Sequence, residues 1–508
     1  MKKTIFIKNA LILTLTSLLL RFAGIIFKIW MASLIGSEGI GLYQLIFSVY
    51  VLASTFATSG ISTAVTRLCS EELAVGCQKG AKKILNRAFL ITFIIAFLSV
   101  IIVFFGADFI AVRLLGDLRA TPALKILPFA LPFMGISSCI RGYFISKRKV
   151  MPNALSQIFE QAVRIVLVVV LVKKFITKGL AFCCTAVILG DVTAEILSCF
   201  VLWLFYKSEL KETNPTGKRL RPPYKITSEI LRIATPITSG RYLNSLLRTA
   251  ENILVPKNLA KFHLSNSHAL SQFGMIKGMA LPVLFFPSAV LNSVSTLLIP
   301  EISEATAKKQ KAVVKYTIEN ILKLTSLISF IFAAIFFVAG EEIGILIYND
   351  KDVGFLLRAL SPIVPLMYLD SISDGILKGL DQQAFSFKTA ISDSLLRIIL
   401  ITVLLKNTGI IGFIGIMYFS NLLTCLLNVS RLLKISGAAL KFIEEIFLPL
   451  FLSVTVSLFS KVLISLFPIT NNLVYIILLV LLSVAIYFIL LLCSGILEKE
   501  EILHYFRR

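Results

Sequence analysis

Fourteen apolar runs, each near the length of a bilayer-spanning helix, constrain this chain more than any motif. They lie near 10–35, 42–66, 88–112, 123–145, 154–173, 179–206, 229–256, 272–298, 318–340, 355–378, 388–406, 409–433, 442–467 and 472–494. Crossing the hydrocarbon core takes about 20 mostly apolar residues in a helix. Lipid offers no partner for a backbone N–H or C=O, so a spanning segment must pair them internally. The runs therefore predict an all-α polytopic membrane protein with about fourteen transmembrane helices. The charged fraction agrees: 16% of residues are Asp, Glu, Lys or Arg, against about 25% in soluble domains. The first run, after MKKTIFIKNALILTL, has the basic start of a signal peptide. It is too long, carries Arg21 and lacks a clear small-residue cleavage site, so it reads as an uncleaved first helix.

The chain carries 51 Lys+Arg against 28 Asp+Glu, a net charge of +23. Such an excess can mark nucleic-acid binding, or it can mark topology, because cytoplasmic loops collect Lys and Arg. With the N-terminus placed inside, alternate loops hold 29 cations inside and 9 outside. Topology explains the excess: N-in and C-in, with no nucleic acid as partner. The KKFITK stretch at 173–178 runs against the bias locally.

The second half repeats the first. Residues 127–164 align without a gap to 360–397: Pro132 meets Pro365, Gly142 meets Gly375, Glu160 meets Asp393 and Arg164 meets Arg397. SLLLRFAG at 17–24 matches NSLLRTAE at 244–251, which sets Arg21 opposite Arg248. Each repeat holds six runs, and an even number keeps both copies in one orientation. Parallel repeats place a substrate site between lobes near the midplane. The expected organisation is an N-terminal lobe over 1–206, a basic cytoplasmic linker over 207–228, a C-terminal lobe over 229–433, and two extra helices with a tail over 434–508.

Charges inside the runs are the candidate functional residues. A Lys or Arg at the bilayer centre costs at least about 2.5–3.5 kcal/mol, so these positions must face protein or a water-filled cavity. Arg21 and Lys28 are seven residues apart, nearly aligned and about 10.5 Å along one helix. With Arg241, Arg248 and Lys277 they make five cations suited to a phosphate or pyrophosphate. Glu160/Arg164 and Asp393/Arg397 are acid-then-base pairs at i,i+4, which read as structural ion pairs. Asp191/Glu195 and Asp370/Asp374 are acidic i,i+4 pairs. They either bind a coupling cation or proton, or are compensated by Arg and Lys from other helices.

Eight cysteines fall mostly within apolar runs with no CxxC spacing, and read as small buried residues. His263 and His268 pair in a loop without a metal-type cluster. No G-x-x-x-x-G-K-[ST] motif occurs, since PTGKRL at 215–220 lacks the first glycine. The reading is a non-enzymatic transporter with no cofactor or metal, driven by Na+, H+ or the membrane potential.

Two stretches carry a family resemblance: GSEGIGLYQLIFSVYVLASTFATSGISTAVTRLCSE at 36–71 and GMALPVLFFPSAVLNSVSTLLIPEISEA at 278–305. With RFAGIIFK in the first run, they resemble the stage V sporulation protein B and polysaccharide-transport family. That family sits in the multidrug/oligosaccharidyl-lipid/polysaccharide exporter superfamily, beside the MurJ-type lipid II flippases and MATE exporters. The resemblance implies a MATE-like V of two six-helix lobes, alternating access, and a polyprenyl-pyrophosphate-linked oligosaccharide as cargo. It points to a lipid II-type precursor for spore cortex, carried across a bacterial cytoplasmic membrane by a monomer whose partners are that lipid-linked substrate and membrane lipids. The flippases' R-x-x-G-x-x-R pattern matches Arg21 and Gly24, with Phe27 at its last position and the cation displaced to Lys28. Their later arginine aligns with Pro282, and Lys277 is the nearby cation. A cation-coupled multidrug exporter using the four acids, and a membrane scaffold for a synthesis complex, are the competing readings.

Overall fold

The computed structural model describes residues 2–58, 60–211, 222–289, 291, 302, 304–306, 308–469 and 471–497. The central part of the basic linker, most of 290–301 and the tail beyond 497 lie outside the described residues. No strand occurs among the described residues, and the chain divides into two compact units, Met1–Gly274 and Met275–Arg508.

The first unit holds α1 (Lys2–Thr58), α2 (Ile61–Ala74), α3 (Gln78–Phe105), a chain of short helical turns, α4 (Leu131–Ser146), α5 (Met151–Phe175), α6 (Leu180–Lys211), α7 (Ile226–His263) and α8 (Asn266–Gly274). The second holds a π-helical turn, Met275–Ala280, then α9 (Lys311–Tyr348), α10 (Lys351–Leu360), α11 (Ile363–Gly379), α12 (Gln383–Ser436), α13 (Leu448–Ser465) and α14 (Asn472–Cys493).

Among the described residues, nine helices are long and apolar enough to cross a membrane, and the α10–α11 pair, bent by 59°, makes a tenth. Ile12–Ala74 and Gln383–Ser436 each cover two of the expected runs. The joins are glycines: Gly36 at φ 69, ψ 177 and Gly409 at φ 60, ψ −144. Side chains with a Cβ avoid this backbone region, so each glycine turns one helix into two without a loop. The seventh run is α7, whose Arg232, Arg241, Arg248 and Glu251 dilute its hydropathy. The eighth, 272–298, is only partly described. The run pattern is consistent with fourteen spans.

Lipid tails are as apolar as leucine, so close packing and interhelical hydrogen bonds hold such helices together. In the first unit, Ile61, Val65 and Leu68 of α2 pack with Ile84 and Leu85 of α3, Phe144 of α4 and Leu202 of α6. The start of α7 enters the same core through Ile226, Ile230 and Ala234. Tyr143 and Tyr206 meet edge to face at 5.5 Å. α7 also hydrogen-bonds α1: Thr249 Oγ1 donates to the Ser48 carbonyl at 3.1 Å, and Asn252 Nδ2 to Ser48 Oγ at 2.9 Å. In the second unit, the Tyr348 hydroxyl donates to the Met279 carbonyl at 3.1 Å and Tyr368 to the Leu284 carbonyl at 2.6 Å.

Candidate functional site: intramembrane cations and a buried ion network

α5 and α6 form a hairpin whose facing charges meet, and α4 adds a third. Arg164 Nη2 lies 2.7 Å from Glu160 Oε1, one turn back on α5. Its Nε sits 2.9 Å from Asp191 Oδ1 on α6, off the hydrogen-bond angle. Arg141 of α4 reaches Glu160 Oε2 at 3.1 Å. Glu195, one turn beyond Asp191, is 4% exposed and has no ion pair among the described residues, with Ser137 and the two guanidinium groups as neighbours. The cluster thus holds three acids, Glu160, Asp191 and Glu195, against two bases. Fully ionised, it carries one negative charge more than its arginines offset.

The second unit repeats the theme with weaker pairing. Arg397 Nε stands 3.8 Å from Asp393 Oδ2, and Ser420 Oγ donates to Asp393. The acidic pair expected to act together is split between partners. Asp370 accepts from Asn428 Nδ2 at 2.7 Å, and Asp374 pairs with Lys378.

The cations fall into two groups. Arg21 is exposed and Lys28 half-buried on the part of α1 before Gly36; Arg241 and Arg248 are exposed on α7. Each pair is spaced by seven residues, so each lines one helical face over about 10.5 Å. None of the four has an ion pair among the described residues. Ser245, one turn from both α7 arginines, is buried, and Thr249, Glu251 and Val255 are buried on the flanks of the same face. No hydrogen bond joins the α1 pair to the α7 pair. Lys277 lies in the second unit on the π-helical turn, its ammonium 5.9 Å from the Phe413 ring centre.

The His263/His268 pair is part of the α7–α8 connection. His263 Nε2 bonds Gln272 Oε1 at 2.8 Å, and the rings meet edge to face at 4.5 Å. A cavity of about 480 Å³ opens beside His268 and the Gly36 break, lined by Ser37, Glu38, Ser265, Ser267 and Ser271. No group of three or more metal-ligating side chains occurs among the described residues.

Sequence reasoning found both i,i+4 pairs and missed Arg141. Its signal was available: at the repeat offset Arg141 falls on Asp374, so both halves carry a charge at that depth of the fourth run.

The family described as polysaccharide biosynthesis protein matches residues 6–305. Stage V sporulation protein B of Bacillus subtilis (strain 168) is 29% identical over 449 residues, covering 87% of this chain and 86% of that one. Lipid II flippase MurJ of the same organism is 22% identical over 461 residues, covering 84% and 82%. Among solved structures, lipid II flippase MurJ in an inward closed conformation superposes with a TM-score of 0.70 at 17% identity, over 94% of this chain and 96% of that one. An inward-facing multidrug resistance MATE family transporter of the MOP superfamily gives 0.64 at 14% identity, over 83% and 96%. At these identities the structures show the fold, and it is the multi-pass membrane fold of that superfamily.

Proposed function

We propose a flippase, on the premise that the chain belongs to the polysaccharide biosynthesis protein family. Its cargo is a polyprenyl-pyrophosphate-linked oligosaccharide, a lipid II-type peptidoglycan precursor used in spore cortex formation. It carries that lipid across the bacterial cytoplasmic membrane by alternating access, with both termini inside. Two lobes, 1–206 and 229–433, alternate about the linker, and 434–508 adds two helices. The names of the relatives support the substrate class.

One observation carries the reading: Arg21, Lys28, Arg241 and Arg248, on the first and seventh apolar runs, have no ion pair among the described residues. Unpaired cations at about 2.5–3.5 kcal/mol each are retained for a ligand. A pyrophosphate suits them, since Arg grips phosphate as a fork and Lys as a point charge. Lys277, in the second unit, is a further candidate cation for the substrate. Glu160/Arg164 and Asp393/Arg397 act as structural pairs. Asp191, Glu195, Asp370 and Asp374 are the coupling candidates for Na+ or H+, and Glu195 leads them because it is buried beside Ser137 with no ion pair among the described residues.

Purified protein should bind a lipid-pyrophosphate sugar more tightly than undecaprenyl phosphate, whose single phosphate engages fewer cations. Equal binding of the two counts against a pyrophosphate clamp. Glu195, buried with no ion pair among the described residues, favours one second reading, a cation-coupled multidrug exporter. Uptake of a cationic dye that ceases in Glu195→Gln, with no binding of the lipid-linked sugar, would support that reading instead.

A further inference from the structure

One face of α3 can be followed without interruption from end to end. Lys79, Lys83, Arg87, Leu90, Ile94, Phe97, Ile101 and Phe105 succeed one another at steps of three or four residues, the spacing of a single helical face. The five apolar members are all exposed, Phe105 at 79%. The opposite face packs into the unit with small residues, among them Ala81, Ala88, Thr92, Ala96 and Ser99. In a membrane protein the exposed apolar face meets lipid, and it extends about 22 Å from Leu90 to Phe105. Phe93 flanks it and stacks on Phe97 at 6.1 Å.

The first three turns of this lipid-facing helix hold Lys79, Lys82, Lys83 and Arg87. None has an ion pair among the described residues, and no acid occupies the first turn. Several other cations of the same unit are paired instead. Arg67 reaches Glu71 at 3.2 Å, and Lys147 and Lys149 share Glu209 at 2.8 and 2.6 Å. Topology asks only for cations somewhere in a loop. It does not ask for them to continue the lipid-facing stripe, where they repel one another and oppose the helix dipole.

We propose that this face of α3 binds anionic phospholipid, with the headgroup phosphate among Lys79, Lys83 and Arg87 and the acyl chains along Leu90, Ile94, Phe97 and Ile101. A negative headgroup relieves the like-charge repulsion, and each cation near an anionic surface favours it roughly fivefold. The site depends only on membrane residence, so it stands or falls apart from the flippase reading.

The test uses the full chain in nanodiscs of mixed phosphatidylglycerol and phosphatidylcholine. With Trp30→Phe and Trp203→Phe removing the native indoles, Phe97→Trp supplies the reporter, quenched by brominated phosphatidylglycerol or brominated phosphatidylcholine in separate samples. The expected result is stronger quenching by the glycerol lipid. Lys79→Gln/Lys83→Gln/Arg87→Gln together should lower that preference by on the order of 100-fold. Lys173→Gln/Lys174→Gln/Lys178→Gln, which removes equal charge beyond α5, should leave it unchanged. Equal quenching by both lipids in the unmutated background, or equal loss in both triple variants, would overturn the proposal. Native mass spectrometry of retained lipids gives a second reading of the same preference.

Discussion

Replacing Arg164 by methionine removes the hub of the α4–α5–α6 network. Arg164 contacts Glu160 at 2.7 Å and Asp191 at 2.9 Å, with the guanidinium side chain 26% exposed. At an effective dielectric near 20, each contact has a gross attraction of about 6 kcal/mol. Desolvation of the three groups offsets most of that. The net effect follows from what stays behind. Glu160 keeps Arg141 at 3.1 Å, whereas Asp191, buried on α6, loses its only ion pair among the described residues. Stranding a buried charge costs about 3–5 kcal/mol. Arg164→Met should therefore lower stability by about that amount, read by thermal unfolding of the purified protein in detergent. Arg164→Met/Asp191→Asn should recover a substantial part, because the stranded charge is gone. A single variant within about 1 kcal/mol of the parent, or a double variant no more stable than the single, refutes the argument.

Other outcomes follow from local geometry. Gly409→Ala places a Cβ on backbone at φ 60, ψ −144 and should cost about 1–3 kcal/mol, seen in the same unfolding assay; Gly415→Ala, where the added Cβ meets open space on the same helix, is the control. Asp350→Ala removes the cap that accepts from Asp352 N at 2.8 Å and Val353 N at 3.2 Å, at about 1 kcal/mol, with faster amide exchange in the first turn of α10. Cys493 is exposed and the other seven cysteines are buried. A maleimide should label the folded protein there, and Cys493→Ser should abolish labelling until the protein is unfolded.

The spans were legible because bilayer thickness sets their length and composition directly. The Gly36 and Gly409 joins were less so, since each break involves one residue and leaves helix on both sides. Glu160/Arg164 could be read from i,i+4 spacing, which depends on helical geometry alone. Arg141, on a different helix, and the choice of Asp191 as a further partner depend on how α4, α5 and α6 pack. Pairing across helices has no fixed spacing in sequence, so the acidic pairs looked alike while the fold separates them: Asp191 is held by Arg164, Asp370 by Asn428, and Glu195 by no ion pair of its own. Arg21 and Arg248 were marked by the repeat, whereas the exposure of Arg241 and Arg248 next to the buried Ser245 and Thr249 depends on how α7 packs.

The central claim is that the unpaired cations of α1 and α7 hold a pyrophosphate during translocation. Its most direct test is flipping of a lipid-pyrophosphate sugar by protein reconstituted in liposomes, comparing the parent with Arg21→Ala and Arg248→Ala. Losing one charge-assisted contact is worth about 1.5–3 kcal/mol, so each variant should flip roughly 10- to 100-fold more slowly while remaining folded. Full activity in both variants would contradict the account.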